Sequence, residues 1–137
     1  MKQKKEHRKG NKESASDNMV MQLWSNIVRS GGKCEYPNCT VNYTRLQAHH
    51  FFTRAYDSIR YDPENGICLC PTHHSLGRES AHHDPLFWQV LLEAGVRDEA
   101  WLANLVRKRN HKAKRNQEFK NYWYKVLSHW GVPYAVH

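Results

Sequence analysis

Residues 46–83 read LQAHHFFTRAYDSIRYDPENGICLCPTHHSLGRESAHH, and they hold six of the chain's ten histidines and two of its four cysteines. Three adjacent pairs, His49-His50, His73-His74 and His82-His83, punctuate the stretch, with Asn65 between the first two. Imidazole is both a common metal ligand and a base near neutral pH. A segment this dense in histidine therefore points to binding a metal and activating water.

The local pattern within the stretch is that of a hairpin. Leu46 to Phe51 and Asn65 to Leu69 each suit a short strand, joined by a long connection that carries Arg54, Arg60 and the turn signal Asp62-Pro63. After Cys70 a short helix is expected, with His74 near its start. Side chains at consecutive strand positions leave on opposite faces, so His49 and His50 should do different work. One can hold a metal together with His74 while the other faces a water. Asn65, at the start of the second strand, is placed to orient a histidine or its backbone across the hairpin.

Just upstream, Cys34 and Cys39 bracket Glu-Tyr-Pro-Asn, a tight turn able to bring two thiolates onto one ion. Their partner is Cys70-Pro71-Thr72-His73, and the two pairs together supply the four ligands of a closed tetrahedral site for structural Zn2+. Cys68 would point the same way as Cys70 on a strand and is the alternative ligand. The short spacing to His73 favours Cys70.

The flanks are helical. Residues 1–16 are basic and lack an aliphatic run, so a disordered tail is expected there, able to act as a loose phosphate-binding arm. From Asp17, read as a cap, Val20, Leu23, Trp24, Ile27 and Val28 recur at helical spacing and stop before Gly31-Gly32, giving a core-facing helix within 17–32. Asp84-Pro85 reads as a cap followed by proline at the first helical position, with Phe87, Val90, Leu91 and Ala94 continuing to Gly95. Another helix begins near Asp98 with Trp101, Leu102, Leu105 and Val106, and the rhythm resumes at Phe119, Tyr122, Trp123, Val126, Leu127 and Trp130. Whether this is one helix or two joined at the basic run 107–115 is open from sequence. The expectation is an α+β domain over 17–137, with its core at 33–84 and C-terminal helices over 85–131.

Lys and Arg outnumber Asp and Glu by 21 to 13 in 137 residues, a net +8 that favours a polyanionic partner such as DNA. Arg54 and Arg60 are candidate phosphate clamps, and Arg107, Lys108, Arg109 and Lys112 candidates for tracking a duplex backbone. No apolar run long enough to span a membrane occurs, and no apolar segment follows the lysine-rich start, so a cytoplasmic protein without a membrane partner is expected. In that compartment the cysteines are metal ligands or free thiols rather than disulfides.

Hydrolysis of a phosphodiester needs an activated water, stabilisation of charge on the phosphate and help for the departing oxygen. On these residues, from about Lys33 to Asp84, the chain resembles HNH endonucleases of the ββα-metal superfamily, especially small phage-type members. The resemblance implies His50 as general base, Asn65 as the middle residue, His74 as the helical metal ligand and His49 as the first ligand. Cys34, Cys39 and Cys70 match the zinc-knuckle cysteines. Two departures stand out: His73 in place of the commoner fourth cysteine, and His49 where aspartate is frequent. Two imidazoles without a carboxylate suit Mn2+, Ni2+, Co2+ or Zn2+ better than Mg2+ alone. His82 or His83 could add a third ligand through a bend, against a plainer reading as a capping or surface histidine.

The resemblance implies a metal-dependent DNA endonuclease, nicking or cutting both strands as a monomer or homodimer. It leaves 5′-phosphate and 3′-hydroxyl ends and acts in phage DNA processing, with packaging or recombination proteins as possible partners. The rival reading is a zinc-stabilised nucleic-acid-binding module without catalysis.

Overall fold

The computed structural model describes residues 14–40 and 45–131. Among these residues the architecture is α+β: a two-stranded antiparallel sheet embedded among four α-helices and several single turns. Most of the expected basic tail, residues 1–13, lies outside the described residues. Its last three do not behave as a tail, because Ala15 is buried and its N–H donates to Asn121 Oδ1 at 2.9 Å.

Helix α1 spans Asp17–Val28, and its cap is Ser16, whose hydroxyl accepts from the Met19 N–H. Asp17 was expected there but falls in the first turn, where its carboxylate serves a different partner, Arg60. The apolar positions Val20 and Trp24 are buried, as the helical spacing requires. Strand β1 is Gln47–His50 and strand β2 is Gly66–Leu69, with Gln47 opposite Leu69, Ala48 opposite Cys68, His49 opposite Ile67 and His50 opposite Gly66. Opposed residues share a face, so this register sorts the hairpin into two sides.

One side carries Gln47, His49, Ile67 and Leu69. Ile67 and Leu69 enter a core with Cys34, Cys70, Phe87 and Leu91. The other side carries Ala48, Cys68, His50 and Gly66, and lies beneath α1. Gly66 has no side chain because α1 comes too close: a Cβ there would overlap Val28 Cγ2 and press on Trp24. A second core follows, in which Ala15, Val20, Trp24, Tyr61 and Leu127 meet and Ala48 and Trp123 pack at the margin.

After β2 the expected short helix is a single π-helical turn, Thr72–Leu76. Helix α2 is Phe87–Glu93, two residues later than Pro85 suggested. The Asp84 carboxylate accepts from the Leu86 N–H, forming a side-chain turn, and Leu86 itself is not helical, so the helix starts only at Phe87. The C-terminal region is two helices, α3 at Glu99–Arg109 and α4 at Gln117–Ser128, each opened by a side-chain cap, Asp98 and Asn116. The break falls within the basic run: the first of them ends at Arg109, and Asn116, just past the run, caps the second. Helix α4 packs along α1, while α3 lies against the turns at Asp57–Ile59 and Pro63–Asn65 in the hairpin connection. No helix among the described residues is long and apolar enough to cross a membrane.

Candidate metal centres and the cleft beside them

The cysteine ligands meet as the spacing predicts. Cys34, Cys39, Cys70 and His73 bring their ligand atoms within 4.8 Å of one another. His73 Nδ1 faces Cys34 Sγ at 3.5 Å and Cys70 Sγ at 3.3 Å. The turn between the first two cysteines closes with Cys39 N–H on the Tyr36 carbonyl, and Asn38 takes the left-handed conformation (φ 61°) that this tight reversal needs. The Tyr36 ring lies flat on His73, 3.9 Å between centroids, and holds it edge-on to the sulfurs. Burial pushes the Cys34 thiol up to about 12, so a bound cation is what would make it a thiolate. Three sulfurs and one imidazole in a small buried cluster are the donor set of a structural zinc site.

Cys68 is not in this group. It is buried under α1, and burial lifts its thiol to about 11. Its main chain ties the knuckle to the sheet instead: Glu35 N–H donates to the Cys68 carbonyl at 2.8 Å, and Cys68 N–H donates to Glu35 Oε2 at 2.7 Å.

The second cluster is His49, His74 and His82, whose nitrogens also lie within 4.8 Å of one another. His49 comes from β1, His74 from the π-turn and His82 from the segment beyond it. That segment folds back through Ala81 N–H on the His73 carbonyl and His82 N–H on the His74 carbonyl, at 2.8 and 3.2 Å. His82, itself exposed as the plainer surface reading has it, therefore reaches the cluster by a bend in the chain. His83 is exposed and stays outside.

Gln47, two residues before His49 and on the same face, accepts from His74 Nδ1–H through Oε1. That bond fixes the tautomer and leaves the Nε2 lone pair of His74 pointing at His82 Nε2, 3.0 Å away. A shared proton or a shared cation satisfies this approach, and two bare lone pairs do not. Burial, then the neighbouring His74, His82 and His50, depress His49 to about 3, so its ring is neutral at ordinary pH and its lone pair is available. Three imidazole donors suit a borderline divalent ion.

His50 leaves the strand on the opposite side. Its ring stacks on Trp24 with 3.7 Å between centroids and 10° between planes. Its Nε2 lies 2.9 Å from the Arg60 carbonyl, which can only accept, so the neutral ring carries its proton there and keeps Nδ1 unprotonated. Burial holds its pKa down at about 4, although the Arg60 carbonyl bond works against this.

Both histidine faces border one cavity of about 610 Å³, which curls around the free edge of β1. His49, His50, His74 and His82 line it with Arg54 and the α1 residues Asn18 and Gln22. Arg54 is exposed there, and its guanidinium makes no ion pair among the described residues.

The other expected site residues are placed as follows. Asn65 is fully buried and does not reach the cavity; its side chain accepts from Phe52 N–H at 2.8 Å and donates to the carbonyls of Phe52 and Ile59, stapling the hairpin connection. The expected role was to orient a histidine or its backbone as the middle residue of the site; the side chain holds Phe52 and Ile59 instead, because the connection between the strands folds back over it.

Arg60 is not a free loop cation. It is buried, with Nε and Nη2 each 2.9 Å from the Asp17 carboxylate and Nη1 on the Arg54 carbonyl, which leaves it no reach to phosphate. Lys108 is paired to the buried Asp62 at 2.9 Å. Arg109 lies over the rings of Phe52 and Tyr56, and Arg107 holds Asn104. Lys112 is exposed beyond the end of α3. Of the expected basic contacts, Arg54 alone lines the cleft.

No family model, curated protein or solved structure matches the chain.

Proposed function

We propose that the protein is a metal-dependent endonuclease of the HNH, ββα-metal type, acting on the phosphodiester backbone of DNA. The observation that carries this reading is the convergence, in one cleft, of a three-histidine cluster and a fourth histidine whose Nδ1 is unprotonated and whose other nitrogen is held by a carbonyl. A divalent ion held by His49, His74 and His82 would supply charge stabilisation on the phosphate and help for the departing 3′ oxygen.

The chain's own residues do the rest. His50 takes a proton from water at Nδ1 while Nε2–H remains on the Arg60 carbonyl. The resulting hydroxide oxygen bonds to phosphorus as the bond from phosphorus to the 3′ oxygen breaks, and the departing 3′ oxyanion takes a proton from solvent, leaving a 5′-phosphate and a 3′-hydroxyl. Trp24 keeps the imidazole from rotating. Arg54, free at the cleft wall, suits bidentate contact with phosphate oxygens. The knuckle of Cys34, Cys39, Cys70 and His73 holds a structural zinc, so that the adjacent His73 and His74 serve one metal each. A net charge of +8 supports a polyanionic substrate.

Incubation of the purified protein with supercoiled plasmid and a panel of Mg2+, Mn2+, Co2+, Ni2+ and Zn2+ tests this. Nicking is expected, with Mn2+ or Ni2+ at least as effective as Mg2+. Binding without nicking under every ion would favour the non-catalytic module, and a strict Mg2+ requirement would remove the all-imidazole ligand set.

A further inference from the structure

Arg60 occupies an unusual place in the molecule. Its main-chain carbonyl holds His50 Nε2 at 2.9 Å, and its side chain holds the Arg54 carbonyl at 3.1 Å, so one residue touches both the base and the backbone of the phosphate-facing arginine. It lies in the hairpin connection between two single turns, Asp57–Ile59 and Pro63–Asn65, rather than in a helix or strand. Nothing in a regular hydrogen-bond ladder fixes the direction of its carbonyl.

What fixes Arg60 is Asp17, in the first turn of α1. Both carboxylate oxygens are used, Oδ1 on Nε and Oδ2 on Nη2 at 2.9 Å each, the fork-to-fork geometry that sets orientation as well as distance. Tyr61 OH donates to Asp17 Oδ1 at 2.6 Å and closes the carboxylate from the other side. Arg115, ahead of α4, approaches Asp17 and Asp57 at 3.8 Å and completes the charge balance. The charged groups around His50 are thus Asp17 from α1 and Arg54 and Arg60 from the connection, and the neighbouring His49 imidazole is neutral at ordinary pH.

We infer that the Asp17–Arg60 ion pair is the positioning device of the cleft, fixing through the Arg60 carbonyl the tautomer and placement of the base and through its guanidinium the backbone that carries Arg54. The inference rests on the nuclease reading for its kinetic consequence but not for its geometry. Asp17 and Arg60 are positioning residues, since neither lines the cavity. A carboxamide at position 17 keeps the shape and hydrogen-bonds one guanidinium nitrogen, but it loses the charge and the matched second acceptor. A base displaced by a fraction of an ångström to an ångström loses rate out of proportion to any loss of binding.

The test compares the full chain with Asp17→Asn, Asp17→Glu and Arg54→Ala. For each it measures kcat and KM for plasmid nicking, zinc content and helical circular dichroism, together with 15N-detected NMR of the His50 ring at a fixed neutral pH. Asp17→Asn is expected to keep zinc and helix content, to lose about 10²-fold in kcat with KM within about twofold, and to lose the Nε2–H signature. Asp17→Glu, which keeps the charge on a longer arm, should fall between it and the parent, and it carries the test if the asparagine variant does not fold. Arg54→Ala should instead raise KM. An unchanged kcat in both position-17 variants, or an Nε2–H signal as strong as the parent's in them, would overturn the inference. Should the parent not nick DNA at all, the nuclease reading fails, and the His50 ring signal still decides whether Asp17 sets the tautomer.

Discussion

His50 lies face to face on Trp24, 3.7 Å between ring centroids, while the same indole donates its Nε1–H to the Asp62 carbonyl at 2.9 Å. The indole is thus pinned at its edge and presents a flat face to the imidazole. Since the Arg60 carbonyl takes the His50 Nε2–H, the ring is fixed both in plane and in rotation, with only Nδ1 uncommitted. A ring set in this way would act as a base without rearranging when substrate arrives.

Replacing Trp24 should therefore separate stability from catalysis. Trp24→Ala empties a fully packed site and should cost about 3–5 kcal/mol, visible in urea unfolding. Trp24→Phe keeps a stacking face but leaves the buried Asp62 carbonyl without its donor, a loss of about 1–3 kcal/mol. The phenylalanine variant should retain most nicking per folded molecule; complete inactivity with an intact fold would show that the indole does more than support the ring.

The His74 partner on β1 should govern the metal rather than the fold. Gln47→Leu removes the acceptor for His74 Nδ1–H, and loss of such an outer partner costs about 10- to 100-fold in metal affinity. His82→Ala should weaken Mn2+ binding in calorimetry at least as much, and His83→Ala should leave it unchanged. Equal effects at 82 and 83 would count against His82 as a ligand.

Zinc removal should disable both centres. His73 and His74 are adjacent, and the carbonyls of both residues hold the returning segment that brings in His82. If the knuckle holds zinc as proposed, its chelation, or Cys34→Ser, should abolish the cooperative unfolding transition and with it the affinity for the second ion. Retained Mn2+ affinity in a zinc-free protein would show the two sites to be independent.

How far the sequence foretold this arrangement varies with the range of the interaction. The grouping of Cys34, Cys39, Cys70 and His73 was legible because two short spacings meet across a hairpin, and the strand alternation put His49 and His50 on opposite faces. The place of His82 beside His49 and His74 was left open because the chain returns through main-chain bonds to the carbonyls of His73 and His74, which no side-chain periodicity encodes. Gln47 had a weak signal, lying two residues before His49 on one strand face. Arg60 was misread as a phosphate clamp because its partner, Asp17, is 43 residues away and looked like a helix cap. Loop cations with distant acidic partners have no local signature, and neither did the identity of Trp24 as the platform for His50.

Acid should weaken the fold through Asp17 in a predictable direction. The hydrogen bonds from Arg60, followed by that from Tyr61, hold its carboxyl down at about 2 against an ordinary 3.8, in spite of partial burial. A depressed carboxyl contributes stability that is full above the unfolded value and is lost as pH falls from about 4 to about 2. Because zinc release also acts in acid, the quantity to follow is the difference in urea midpoint between parent and Asp17→Asn. That difference should shrink over this window and be constant above pH 5; a pH-independent difference would mean that the charge on Asp17 contributes nothing.

The central claim is that His50 takes the proton from the attacking water, and the most direct measurement is the initial rate of plasmid nicking by His50→Ala relative to the parent at saturating Mn2+. With zinc content and circular dichroism matched, the rate should fall by about 10² to 10⁴ fold, as for loss of a general base. Nicking by the variant at close to the parent's rate would contradict the account.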